Sequence, residues 1–182
     1  MITAGVDIGS TASKAAVFAD GRPLAQVVGS STTNPKRTAQ AIYERALAEA
    51  GVAAEEVSCV VGTGYGRTQV PFAHHNVSEI TCHGRGAHFL RPSVRTVIDI
   101  GGQDTKVILI DHAGNLLDFV MNDKCAAGTG RFLEVLLGRL GVGWTEVAAL
   151  VGEAREVVAV SSTCTVFAES EIISLLAEGK PV

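Results

Sequence analysis

Asp7-Ile8-Gly9-Ser10-Thr11-Ala12-Ser13-Lys14 returns as Asp99-Ile100-Gly101-Gly102-Gln103-Asp104-Thr105-Lys106, its start moved from residue 7 to residue 99, an offset of 92. Each time an apolar run follows the lysine, residues 15–18 and then 107–110. Each run leads to an aspartate and a glycine-containing turn, Asp20-Gly21 and Asp111 to Gly114. The pattern reads as one strand-turn-strand unit used twice. Small and hydroxyl residues in such a turn let backbone N–H groups approach a phosphate closely, so two turns can grip one polyphosphate. Gly9, Ser10, Thr11 and Lys14 form the first candidate jaw, and Gly101, Gly102, Gln103 and Lys106 the second. Asp7 and Asp99, at the strand ends, are candidate holders of Mg2+ or its waters, because that ion takes oxygen ligands. One Asp-Gly-rich turn alone would be ordinary hairpin punctuation. Repetition with lysine at the same step favours phosphate binding. The chain has no Gly-x-x-x-x-Gly-Lys-Ser/Thr loop and no glycine triplet opening a helix, so neither of the common phosphate loops fits.

The rest of the composition agrees with this frame. At 182 residues and 47% hydrophobic content the chain can bury a real core. Aromatics are only 5%, whereas there are 20 glycines and many Val, Ile and Ala, a mixture that suits an α/β protein with tight turns. A net charge of −4 without a basic stripe argues against nucleic-acid binding. No apolar run is long enough to span a bilayer, and no charged leader precedes the first strand, so a soluble, cytoplasmic protein is expected.

Strands are expected at Ile2–Ile8 and residues 14–19 and 24–28, followed by a helix over residues 38–50 ended by Gly51 and a buried strand at residues 58–62. Gly62-Thr63-Gly64-Tyr65-Gly66-Arg67 reads as a flexible loop, either a surface turn or a flap that carries Arg67 over a nucleotide. Ser78 caps a short helix reaching Phe89. The meander then restarts at residues 97–100, 106–110 and 116–121. Two related domains follow, residues 1–92 and 93–182.

The second half adds two cysteines. Cys125 lies ahead of a helix that begins near Thr129, with Phe132, Leu133, Leu136, Leu137 and Leu140 on its apolar face. Cys164 precedes another, with Ala168, Ile172, Leu175 and Leu176 inward and Gly179 at its end. A helix N-terminus favours a thiolate, which is the form iron or zinc binds. Their spacing, Cys-x38-Cys, is no zinc-finger or ferredoxin pattern, and one chain supplies only two such positions. Buried inert thiols are one reading. Two copies about a two-fold axis, sharing one 4Fe-4S cluster, are the other. Cys59 and Cys82 read as core filler, His74, His75 and His83 as loop or surface residues, and Glu169 and Glu171 as solvent-facing.

Residues 7–14, 62–67, 99–106, 122–132 and 161–174 together resemble the ATP-hydrolysing activators of 2-hydroxyacyl-CoA dehydratases and the ATP-binding subunits of benzoyl-CoA reductases. The resemblance implies an actin-like (ribonuclease H-like) duplicated fold, ATP with Mg2+ at the hairpins, and Asp7, Asp99 and Asp104 as catalytic residues. It implies a homodimer with one 4Fe-4S cluster held by Cys125 and Cys164 of both copies. It further implies an electron taken from ferredoxin or flavodoxin and delivered at low potential to a dehydratase or reductase partner. The energy of a nucleotide suits such a transfer. For one electron, each ~59 mV corresponds to about 1.4 kcal/mol, and a few hundred millivolts to several kcal/mol.

Members of that family continue past the point matched by Val182, into a glycine-rich adenosine-contacting segment and a terminal helix. The 182-residue chain is therefore expected to be C-terminally truncated relative to the family and to show little ATPase activity alone. Two other functions use the same hairpins. A small-molecule kinase would need a general-base aspartate, for which Asp104 or Asp123 are candidates. A nucleotide-gated scaffold would leave the cysteines inert.

Overall fold

A computed structural model describes residues 1–182. Its elements run β1 (Ile2–Ile8), β2 (Ala12–Ala19), β3 (Arg22–Ser30), α1 (Pro35–Ala50), β4 (Val57–Thr63), β5 (His75–Asn76) and α2 (Glu79–Leu90). They continue as β6 (Thr96–Ile100), β7 (Thr105–Ile110), β8 (Leu116–Asn122), α3 (Gly130–Leu140), α4 (Val147–Glu153) and α5 (Thr165–Ala177). The chain packs as two compact units: Met1–Val97 with Val107–Phe119, and Ile98–Lys106 with Val120–Val182. The division at residue 92 expresses the sequence repeat and stays a proposal.

In the first unit a five-stranded sheet has the order β3-β2-β1-β4-β5. β1 runs antiparallel to β2 and parallel to β4, and its register sets Asp7 opposite Lys14. Alternation along the strands decides which face is dry. Ala4, Val6 and Ile8 of β1 and Ala15 and Val17 of β2 are buried against Ala39, Ile42, Tyr43, Ala46 and Leu47 of α1. Asn34 caps α1 by accepting from the Arg37 N–H, Pro35 opens it, and Gly51 closes it at φ 65°. That Asn-Pro start is why α1 begins earlier than residue 38: proline at the first helical position loses no needed donor. The opposite face, which includes Gly5, Asp7, Lys14, Phe18 and Val61, lines an open groove of about 680 Å³. Also in this unit, α2 lies against the end of β7. Ile108 and Ile110 are buried, and a Cβ on Gly84 would stand only 2.8 Å from Ile110, so α2 needs glycine there.

β6, β7 and β8 form a three-stranded sheet in that order. Within the second unit α3 and α5 share a small core of Leu136, Ala168 and Ile172, with Phe132, Leu140, Val160 and Leu176 around it. Thr129 caps α3, accepting from the Phe132 N–H, and Gly141 ends it at φ 67°. The expected strands and long helices are present, with ends moved by up to three residues. α4 and the two-residue β5 were not anticipated. α4 is seven residues long and has no side-chain cap, and β5 exists only through its partner β4.

Candidate functional site

The repeated lysines sit in different surroundings. Lys14 Nζ is 3.1 Å from Asp7 Oδ2 and 3.2 Å from the Ala12 carbonyl, and its side chain is 47% exposed. Lys106 Nζ is 2.6 Å from Asp104 Oδ1 and 3.4 Å from Asp99 Oδ2, and its side chain is 3% exposed. Asp104 stands where Ala12 stands in the first copy (12 plus 92), so a carboxylate replaces a backbone carbonyl as the lysine's acceptor. Lys14 therefore stays half exposed at the surface. Lys106 is held in the interior by two carboxylates. Asp104 is itself buried against Lys106. Both turns demand glycine: a Cβ on Gly9 would meet the Ala12 carbonyl at 2.6 Å, and one on Gly101 would run into the Asp104 carboxylate.

The glycine loop after β4 folds back on the end of β1. Gly66 N–H donates to the Ile8 carbonyl at 2.8 Å, and a side chain on Gly64, at φ 85°, would strike the Asp7 carboxylate. Arg67 donates to the Gly64 carbonyl at 3.1 Å and lies 3.8 Å from Glu79. The segment read as a possible flap is thus a brace for the strand end that carries Asp7, and Arg67 ties it down.

The two cysteine turns are joined inside one unit. Cys164 is the N-cap residue of α5, and its carbonyl accepts from Ala168 N–H at 3.0 Å. Cys125 lies five residues ahead of α3, in a turn shaped by Asn122. The Asn122 amide donates to the Cys125 carbonyl at 3.1 Å and its oxygen accepts from the Lys124 and Cys125 N–H groups at 3.3 and 3.4 Å. Sequence reading did not single out Asn122. The available signal is an asparagine two residues ahead of a backbone N–H, the i to i+2 spacing of an Asx turn closed on Lys124. The Cys125 thiol donates to the carbonyl of Thr163, the neighbour of Cys164, at 3.2 Å. Of the two carboxylates expected to face solvent, Glu171 is exposed and accepts from Ser161 N–H at 2.6 Å, while Glu169 is half-buried and pairs with Arg139 across α3 and α5. No group of three or more His, Cys, Asp or Glu side chains within the chain could hold a metal ion. The two half-buried thiols suit iron by their chemistry and would be half of the four ligands a cluster takes.

The remaining candidates are structural. Cys59 and Cys82 are half-buried and line the groove beside Asp7. Burial pushes the Cys82 thiol up, and the negative charges of Asp7 and Glu79 add to this. His74 Nδ1 accepts the Val60 N–H at 3.0 Å, which completes the strand rather than a metal site. A hydrogen bond from Lys124, aided by its charge, holds Asp123 below the usual carboxylate range, which makes it a poor general base.

A β-β-β-α-β sheet with hairpins that repeat an Asp-Ile-Gly turn and a lysine defines an actin-like α/β protein. The sequence profile of the BadF/BadG/BcrA/BcrD ATPase family matches residues 4–181, and the chain belongs to that family. It is 46% identical over 186 residues to the 2-hydroxyisocaproyl-CoA dehydratase activator of Clostridioides difficile, covering 100% of this chain and 68% of that protein. The crystal structure of Acidaminococcus fermentans (R)-2-hydroxyglutaryl-CoA dehydratase component A superposes with a TM-score of 0.89 at 45% identity, covering 98% of this chain and 69% of that one. The Clostridium difficile 2-hydroxyisocaproyl-CoA dehydratase activator with bound ADPNP also gives 0.89, at 48% identity, covering 98% and 67%. No helix is long and apolar enough to cross a membrane.

Proposed function

We propose that this chain is the ATP-driven electron-transfer activator of a 2-hydroxyacyl-CoA dehydratase or a benzoyl-CoA reductase component, acting in the cytoplasm. The observation that carries the proposal is the hydrogen bond from the Cys125 thiol to the residue before Cys164, which holds both cysteine turns in one module.

In this reading the hairpins take ATP with Mg2+. Lys14, half exposed, neutralises phosphate charge, while Gly9, Ser10, Thr11, Gly101, Gly102 and Gln103 present N–H groups. Asp7 and Asp99 orient the waters of the metal, and Asp104 keeps Lys106 against Asp99. Cys125 and Cys164, with the same pair from a second copy, hold one 4Fe-4S cluster, which when bound supplies one-electron transfer at low potential. Asn122 fixes the Cys125 turn, and the paired helices α3 and α5 carry both ligands together. Ferredoxin or flavodoxin is the proposed donor. The names of the relatives favour the dehydratase branch.

Anaerobic reconstitution tests this directly. A brown protein with about four irons per two chains, colourless in both Cys125→Ser and Cys164→Ser, is the expected result. Iron retained by both variants would sink the ligand assignment. Equal electron delivery to a dehydratase component with ATP, ADP and no nucleotide would sink the coupling.

A further inference from the structure

Three hydrogen bonds tie the second hairpin to the turn that carries Cys125, all inside the second unit. Gly130 N–H donates to the Gly101 carbonyl at 2.9 Å, and Arg131 N–H to the Gly102 carbonyl at 3.0 Å. The Thr105 hydroxyl donates to the Gly128 carbonyl at 2.7 Å. Residues 101 and 102 belong to the phosphate turn. Residues 128–131 run directly on from Cys125 into α3.

The first hairpin is anchored differently at the same steps. Gly9, the counterpart of Gly101, has its carbonyl capped by the Ser31 hydroxyl at 2.6 Å. Ser13, the counterpart of Thr105, shares a hydrogen bond with that same Ser31 hydroxyl at 2.8 Å. The first copy is thus closed by a serine at the end of β3 in its own sheet. In the second copy the matching carbonyl and the matching hydroxyl are both satisfied by the cysteine turn. Of the three ties, only that of Thr105 comes from a side chain, so it can be removed without touching the backbone. In that turn Gly128 sits at φ 76°, and Thr129 beside it is fully buried.

We infer that Thr105 is the positioning residue that couples the second hairpin to Cys125. Its hydroxyl holds the Gly128 carbonyl and so sets the turn that presents the thiol. A phosphate that draws on the turn before Thr105 moves that hydroxyl and, through the Gly128 carbonyl it holds, the turn that carries Cys125. The inference rests on the nucleotide site proposed above.

The test uses metal-free protein and residue-resolved alkylation by iodoacetamide, read by mass spectrometry, with Cys59 and Cys82 as internal references. Without nucleotide, Thr105→Val is expected to alkylate at Cys125 about fivefold faster than the parent, the ratio a net hydrogen bond of ordinary strength supports, and Thr105→Ser to restore the parent rate. Adding ADPNP with Mg2+ is expected to change the Cys125 rate in the parent and not in Thr105→Val, although both bind the nucleotide equally by calorimetry. Equal Cys125 rates in Thr105→Val and parent, with and without nucleotide, would overturn the inference. Nucleotide that binds the parent yet leaves Cys125 unchanged overturns the coupling alone, whereas absence of binding removes the proposed nucleotide site and the coupling with it.

Discussion

Lys14 and Lys106 occupy the same step of the repeat, yet substitution should affect them in opposite ways. Lys14 is half exposed and makes one carboxylate contact, a kind of pair worth about 0–1 kcal/mol. We expect Lys14→Met to leave urea stability nearly unchanged while weakening ATP binding in calorimetry. Lys106→Met leaves Asp104 and Asp99 without their cation in the interior, a loss of about 3–5 kcal/mol, visible as a lower urea midpoint. An unchanged midpoint would show that Lys106 is not the ion-pair partner described. Gly64→Ala tests the brace: a side chain at φ 85° facing Asp7 should cost about 1–3 kcal/mol or more and lower the melting temperature. At Asp111, hydrogen bonds from Asn115 hold the carboxyl below the usual range, so its folded pKa is depressed. The stabilisation is present above the usual carboxylate range and fades as pH falls through it. Asn115→Ala should therefore melt below the parent at neutral pH and converge with it in acid. Sequence spacing identified all eight residues of each hairpin, but it could not distinguish the two lysines. That difference arises from Asp104 in place of Ala12 and from burial contributed by distant residues.

At the scale of elements, α3 and α5 hold the cysteine module through both packing and charge. Leu136 is one of the two large buried residues of their shared core, with Ile172, so Leu136→Ala should cost about 2–5 kcal/mol in a denaturation series. Arg139→Ala removes an exposed ion pair to Glu169 and should cost only about 0–1 kcal/mol. Reversed magnitudes would mean that charge rather than packing joins the helices. Both helices were legible in sequence because their leucines and isoleucines recur at helical spacing and a glycine stops each. Glu171 is exposed as expected, whereas Glu169 is half-buried against Arg139, because periodicity says which face is apolar but not which rim residue meets a cation from another helix. α4 was missed because seven residues with a bare N-cap carry little periodic signal.

On the scale of the whole molecule, many large apolar side chains are exposed, among them Val28 on β3, Ile98 and Ile100 on β6 and Leu117 on β8. We expect the folded 182-residue chain to bind an apolar dye and to sediment with concentration dependence. A dye-negative, strictly monomeric protein would contradict that exposure.

The α/β class, the two Asp-Ile-Gly hairpins at their offset of 92 and the pair of cysteines ahead of helices were legible in the residues alone, because each is a local pattern of residue type and spacing. Only the tertiary structure decided that Lys106 is an interior strut, that the glycine loop braces Asp7, and that Cys125 is tied both to Thr163 and, through its turn, to the second hairpin. For Lys106 the deciding factor is burial, and for the loop and the cysteine turn it is partners lying tens of residues apart along the chain, and no local pattern records which distant group completes a polar atom.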